Sequence, residues 1–507
     1  MQLINQQGVN SSLIIEGNIM KFLLKPLVLF YHLFIITVII LAAENDVNAN
    51  ELTNHGFTSR STAMAGAVTA DVKDASALYY NPAGLGDAEN AVQADINISV
   101  NALAIELFTK NKSNNVPELV YDTTPIDPTA ASLFPSVATG AHPNKRASTK
   151  NKEISTSLVL GLTLNPGIKW INFALATFIP LQKVHTSTSY PDGREQHFSN
   201  QLNFSTLSQQ APGPIFMIGA GLKPLRWLKI GVTMLMYRRN TMHYNALLTD
   251  PSKDNTAMLS QVNMESSIVP GFNVGLQIEP HEKFGIGISY RHRMFTGQTV
   301  ISNIETNDYS TASPPPGESR FIQDIEFVTD YNPGDLSLGL RIGNHCPWVL
   351  NIDATWRMWS KYDSVGDESA RKEFHDVVIP KLAFEYEING RLDLRLGTSY
   401  ILNPVYKQDG ETNFVDNDRV QIAIGTGIDL PWPPNAHLDL HVQLFFLIPR
   451  TFDKQNANMI DEFPESVNNE TGELVGDNSL QTNNPGYPGY ESSGIIASFG
   501  AAVKIPF

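Results

Sequence analysis

From residue 91 the chain alternates apolar and polar residues with a period of two, Val92, Ala94, Ile96, Ile98 and Val100 standing against Gln93, Asp95, Asn97, Ser99 and Asn101. Successive side chains of a strand point to opposite faces, so this is a β-strand with two unlike faces. The pattern recurs at 158–164, 171–181, 215–222, 228–236, 269–278, 284–290, 336–342, 350–358, 382–388, 392–400, 420–430, 438–448 and 499–507, fourteen segments with the first. What joins them is equally constraining. Short turns stand at Asn165-Pro166-Gly167, Lys223-Pro224-Leu225-Arg226, Glu279-Pro280-His281-Glu282, Asn344-His345-Cys346-Pro347, Asn389-Gly390 and Pro431-Trp432-Pro433-Pro434. Long polar stretches fill the other gaps, the longest at about 106–153 and 453–491. An even strand number, with short turns at one end and long loops at the other, predicts an all-β fold, a 14-stranded antiparallel transmembrane β-barrel. A soluble β-sandwich also alternates, but one of this length divides into modules, and no linker interrupts 91–507. Phe499, Ala501, Val503, Ile505 and Phe507 put apolar residues on one face of the last segment, the ending expected of an outer-membrane barrel.

Composition narrows the remaining choices. The mean hydropathy is −0.15 and there is one long apolar run, which argues against several membrane-spanning helices of about 20 apolar residues each. One cysteine, Cys346, allows neither an intramolecular disulfide nor a cysteine-based zinc site. With 51 acidic residues against 36 basic ones, a nucleic-acid partner is disfavoured, because that binding rests on clustered Lys and Arg. The apolar run, 27–43, follows Met20, Lys21 and Lys25 and precedes Val47-Asn48-Ala49, the layout of a secretory signal. It is longer than the usual core of about 7–15 residues, so an uncleaved anchor is the competing reading. Residues 1–19 lie upstream of a second start at Met20 and have no targeting character. The expected division is 1–49 as upstream extension and signal peptide, 50–90 as an N-terminal segment, and 91–507 as the barrel.

The N-terminal segment contains the runs 60–67 and 74–85, rich in small residues and without strand alternation. A barrel of fourteen strands has a lumen too wide for its own side chains to fill, which makes a plug the physical expectation and an ordinary periplasmic tail the alternative. Here the chain resembles the FadL/TodX family of outer-membrane transporters of long-chain fatty acids and other hydrophobic compounds. The resemblance is carried by Asp74-Ala75-Ser76-Ala77-Leu78-Tyr79-Tyr80-Asn81-Pro82-Ala83-Gly84, by Trp359-Ser360-Lys361-Tyr362-Asp363, by the run 394–400 with Asn403-Pro404-Val405, and by Asp418-Arg419. It implies a barrel plugged by an N-terminal hatch whose motif is Asn81, Pro82, Ala83 and Gly84. It also implies passive uptake in the outer membrane of a Gram-negative bacterium: capture in an apolar pocket, hatch movement, and lateral exit through the barrel wall near a kinked strand.

A hydrophobic solute needs such a route because each methylene left in water forfeits about 0.8 kcal/mol. Pro180 ends the third segment and is the candidate kink, since a strand proline removes a ladder donor; it also suits simple entry to a loop, and Pro270 and Pro333 compete for the role. A cargo carboxylate would require a buried cation. Strand parity turns Arg239, Arg291 and Arg293 toward the lumen at the long-loop end, the candidate carboxylate-binding residues, with Arg341, Arg357 and Arg395 also inward. Asp353, Glu385, Glu387 and Asp393 share that parity, so structural ion pairs are the alternative. The acidic stretch 453–491 suits calcium or plain solvation, and without fixed ligand spacing solvation is preferred. No GxSxG, HExxH, GxxxxGK or strand-following GxGxxG occurs, and His441 reads as a lining residue. A structural or adhesive barrel is the alternative to a transporter, and a lipid-modifying enzyme a more distant one. The expected partners are a fatty acid or hydrocarbon, outer-membrane lipid and lipopolysaccharide; no cofactor or metal is expected, and the chain is expected to act as a monomer.

Overall fold

The structure, a computed structural model, describes residues 56–107, 149–181, 205–206, 214–248, 258–306, 330–343, 347–362, 374–406, 414–433, 435–453, 466–467, 474–475 and 489–507. The signal region, most of the stretches 106–153, 182–200 and 453–491, and the turn residues 344–346 lie outside the described residues. Fourteen antiparallel strands close into a ring. They are β1 (Ala91–Leu107), β2 (Thr149–Leu164), β3 (Ile171–Pro180), β4 (Ile215–Leu225), β5 (Leu228–Leu248), β6 (Met258–His281), β7 (Phe284–Arg291), β8 (Gly334–Gly343), β9 (Trp348–Met358), β10 (Val377–Glu387), β11 (Leu392–Ile401), β12 (Arg419–Asp429), β13 (His437–Asp453) and β14 (Gly489–Pro506). β14 returns to β1 in one unbroken register, from Ala91↔Pro506 to Leu107↔Tyr490. Closure leaves the ring without an edge, the condition for β-structure in lipid.

The two faces are the reverse of a soluble protein's. On β5, Ile230, Val232 and Met234 are 43%, 51% and 44% exposed, while Lys229, Thr233 and Leu235 between them are buried. Exposed Trp170, Trp227, Trp348 and Trp432 stand by the short turns, and exposed Trp356 and Phe446 toward the other end. Trp348 and Trp356 are eight residues apart on β9, about 27 Å along a strand, comparable with an apolar band about 25 Å tall between aromatic girdles.

β5 and β6 extend as a hairpin well past Tyr237, the last β5 residue paired to β4. The freed edge of β5 is taken by a further strand, Met294–Thr306, which runs parallel to it from Arg239↔Gly297 to Leu248↔Thr306. Asp330–Asn332 pairs back onto residues 294–296. To reach that edge from β7 the connection crosses β6 and β5 on the lumen side, and Met294 is buried there in one cluster with Phe178, Ile215 and Tyr237.

Residues 56–90 fill the lumen near the short-turn end. They form α1 (Ser59–Ala63), α2 (Ala77–Tyr80) and a 3-10 helix (Pro82–Asp87). Met64, Ala67, Val68, Val72, Leu78 and Leu85 pack against Val159, Ala174, Ala176, Met217 and Leu235 of the wall.

Candidate functional site

The hatch is seated by polar residues that alternation turns inward. The Asn81 side chain, fully buried, donates to the Thr69 carbonyl at 2.7 Å and to the β6 carbonyl of Leu276 at 3.2 Å, and accepts from the Ala83 amide at 3.1 Å. The last bond caps the 3-10 helix, where Pro82 takes a first-turn position that needs no donor. Ala83 is fully buried, and a Cβ at Gly84 would collide with the Val72 carbonyl. Each member of the motif therefore has a steric or hydrogen-bonding reason to be there. From the wall, Asn273 donates to the Tyr79 carbonyl at 2.9 Å, Gln277 to Thr69 at 3.2 Å, and Asn172 to Leu85 at 2.7 Å. Asp353 accepts from the Thr69 amide at 2.9 Å and Asp95 from the Ser59 amide.

The wall makes room for this insert with glycine. A Cβ at Gly161, Gly219, Gly221, Gly231, Gly275, Gly287, Gly339, Gly397 or Gly425 would lie less than 3.0 Å from a hatch atom. Gly221, Gly231 and Gly275 are cross-strand neighbours, as are Gly287 and Gly339. They form a belt at hatch height, on strands where a glycine otherwise weakens the ladder. Sequence reading missed this belt, although its signal is present: glycine recurs at lumen-parity positions on successive strands.

Charged contacts complete the seat. Arg60 of α1 binds Asp71 at 2.8 Å and Glu385 of β10 at 3.1 Å. Burial alone would lower the Arg60 pKa, but Glu385 and Asp71 outweigh it and hold the guanidinium well above its ordinary range. Asp87 binds Lys223 and Lys229; burial would raise its carboxyl, and the two lysines hold it below the ordinary value instead.

On the long-loop side of the hatch a narrow cavity of about 40 Å³ is lined by Tyr79, Tyr80, Arg291, Asp335, Arg357 and Lys381, among others. Arg291 lies over the Tyr79 ring at 4.3 Å and binds Asp335, which also takes Arg357 at 2.9 Å. Lys381 makes no hydrogen bond or ion pair among the described residues, so the lining holds three cations against one carboxylate. Two buried apolar clusters lie in the wall. Phe178, Ile215, Met217 and Tyr237 stand on β3 to β5, and Val377, Ile379, Ile401, Phe445 and Ile496 on β10 to β14. On the short-turn side an opening of about 550 Å³ is lined by Glu385, Glu387, Asp393, Arg395, Asp429 and Asp439 among others.

Of the three sequence-derived arginines, Arg291 faces this lumen. Arg293 follows the end of β7, where strand parity no longer applies, and donates to the Lys361 carbonyl at 3.3 Å. Arg239 pairs through its backbone with Ser267 and Gly297, and its side chain lies outside the described residues. Arg341 binds Glu279 at 3.3 Å, and Arg395 binds Glu385, Asp393 and Asp439. Pro180 ends a continuous β3, paired to β2 as far as Ser157↔Pro180 and to β4 as far as Phe178↔Ile215, without a register shift. Pro270 lies within β6 opposite Met236, and Pro333 just before β8.

Comparison with known proteins places this architecture. The family model for outer membrane protein transport proteins (OMPP1/FadL/TodX) matches residues 218–473, slightly more than half of the chain. Alkane uptake protein A of Marinobacter nauticus is 22% identical over 261 residues, covering 46% of this chain and 56% of that relative's length. A crystal structure of a Pseudomonas aeruginosa FadL homologue aligns with TM-score 0.55 at 12% identity over 89% of this chain and 98% of its own. The Pseudomonas putida toluene transporter TodX aligns with TM-score 0.48 at 13% identity, over 89% and 99%. With a closed 14-stranded antiparallel barrel and that family match, the chain belongs to the OMPP1/FadL/TodX family of outer-membrane transport proteins, which are channels and not enzymes.

Proposed function

We propose that this protein is a passive channel for hydrophobic molecules, fatty acids or hydrocarbons, in the outer membrane of a Gram-negative bacterium. Its short turns then face the periplasm and its long loops the exterior. The observation that carries the reading is a closed barrel whose lumen is blocked near the short-turn end by a hatch tied to the ring through Asn81, Asn172, Asn273, Gln277 and Arg60, with buried apolar clusters in the wall around it. Apolar walls offer a hydrocarbon what water denies it. The periplasmic opening, lined by carboxylates and their partners, does not, which favours exit through the wall over exit into the periplasm. Arg291, Arg239 and Arg293 are candidate partners for a cargo carboxylate, with Lys381 beside Arg291 as the lumen cation that the sequence had not marked. A deletion strain grown on a panel of hydrophobic carbon sources tests the reading. Growth on at least one fatty acid, alkane or aromatic hydrocarbon should slow and recover on complementation; unchanged growth across the panel would contradict it.

A further inference from the structure

Between the exposed, lipid-facing Leu440 and Val442 of β13, His441 points inward and is 4% exposed. Among the described residues, neither its Nδ1 nor its Nε2 has a hydrogen-bond partner. It is also the one buried imidazole among those residues. Buried polar groups are normally paired, so two orphaned nitrogens on one side chain need a reason.

The wall does not supply the cover. The cross-strand neighbours of His441 are Gly425 on β12 and Gly500 on β14. The imidazole lies over Gly500, where a Cβ would collide with its Cε1 and Nδ1. Ala63 of α1 fills the space over Gly425, its Cβ 2.5 Å from where a side chain there would begin. α1 packs on β12, β13 and β14. With glycine on both sides, the ring is closed off by the seated hatch, and lifting α1 returns both nitrogens to water.

No ionisable group is placed to neutralise a proton on the covered ring. Asp439, two residues along β13 on the same face, is taken by Arg395 and His437. Asp95 of β1, beyond β14, accepts from the Ser59 amide of α1. Arg60 of α1 is itself a cation and is tied to Asp71 and Glu385. On the strands that flank the ring, 421–427 and 496–502 contain no ionisable residue. The feet of those strands hold Asp429, bound to His437 at 2.7 Å, and Lys504, 3.9 Å from Glu89. A neutral imidazole is tolerated in such a place, whereas a charge without a partner is costly to bury.

We propose that His441 is an acid trigger for the hatch: the seated hatch keeps the ring neutral, the lifted hatch lets it take a proton, and acid therefore favours the lifted state. The proton binds one state and not the other, so mass action fixes the sign. For one exposed imidazole with the ordinary pKa of about 6.5, the lifted population rises about tenfold from pH 7.5 to pH 5.5. That window lies well above the strong acid in which a carboxylate anchor such as Asp87 is lost. The inference needs the seated hatch and is independent of which cargo the channel carries.

The test uses the full chain in planar bilayers. Wild type should open about ten times more often at pH 5.5 than at pH 7.5. His441→Gln, neutral at both, should lose that difference, and His437→Gln, altered at the mouth between Asp429 and Asp439, should keep it. No acid response in wild type, or one that survives in His441→Gln, would overturn the trigger. A second measurement needs no change at 441. At pH 7.5 diethyl pyrocarbonate should modify His441 of the wild-type protein at least about tenfold more slowly than exposed His281, read peptide by peptide by mass spectrometry. Equal rates would overturn the cover on which the trigger depends.

Discussion

Replacing Asn81 by alanine removes three hydrogen bonds at a fully buried position, to Thr69, to Leu276 and from Ala83. Each contributes about 1 kcal/mol net, so the seated hatch should lose about 3 kcal/mol. The Thr69 carbonyl keeps Gln277 as a donor, whereas the Ala83 amide is left bare and the only bond from this side chain to the wall disappears. At about 1.4 kcal/mol per factor of ten, the displaced hatch should become on the order of 100 times more populated. In planar bilayers Asn81→Ala should turn a quiet channel into one with frequent ion-conducting openings. Its barrel should still unfold at the wild-type temperature, because the lost bonds lie in the hatch and not in the ladder. Openings no more frequent than in wild type, with the protein inserted, would refute this account of the motif.

The glycine belt makes a stricter demand: Gly231→Ala would put its Cβ against the Pro82 carbonyl, and such overpacking costs about 1–3 kcal/mol, so leak conductance should rise while insertion stays normal. Glutamine in place of Arg291, Arg239 or Arg293 should weaken uptake of oleate and spare a neutral alkane if that residue holds the head group; equal loss of both would identify a structural ion pair. The anchor at Asp87 should depend on pH with a definite sign. Because Lys229 and Lys223 hold its pKa below 3.8, its contribution is present above that value and disappears as the pH falls through the lowered value. Openings should therefore rise in strong acid, and Asp87→Asn should show the raised frequency already at neutral pH.

Much of the ring was legible because a wall between lipid and lumen writes its two faces into alternate residues; Val92 to Asn101 already does so. The extension of β5 and β6 was not, since beyond Tyr237 no lipid imposes alternation on Arg238, Arg239, Asn240 and Thr241. The strand Met294–Thr306 was also missed, because its partner is fixed by a crossing of the lumen and not by a local turn. The hatch motif was visible as a string, but its reasons lie in partners 195 residues away, such as Leu276. Parity identified Arg291 as inward, yet Asp335, 44 residues later, became its partner only through the β7–β8 register.

The most direct test of the account compares two fluxes in the same intact cells, the deletion strain with and without the gene. Protein-dependent uptake of radiolabelled hexadecane or oleate, with no protein-dependent entry of a small sugar, is the predicted result. Sugar entry that depends on the protein while neither hydrophobic compound does would show an open aqueous pore and contradict a hatched channel for apolar cargo.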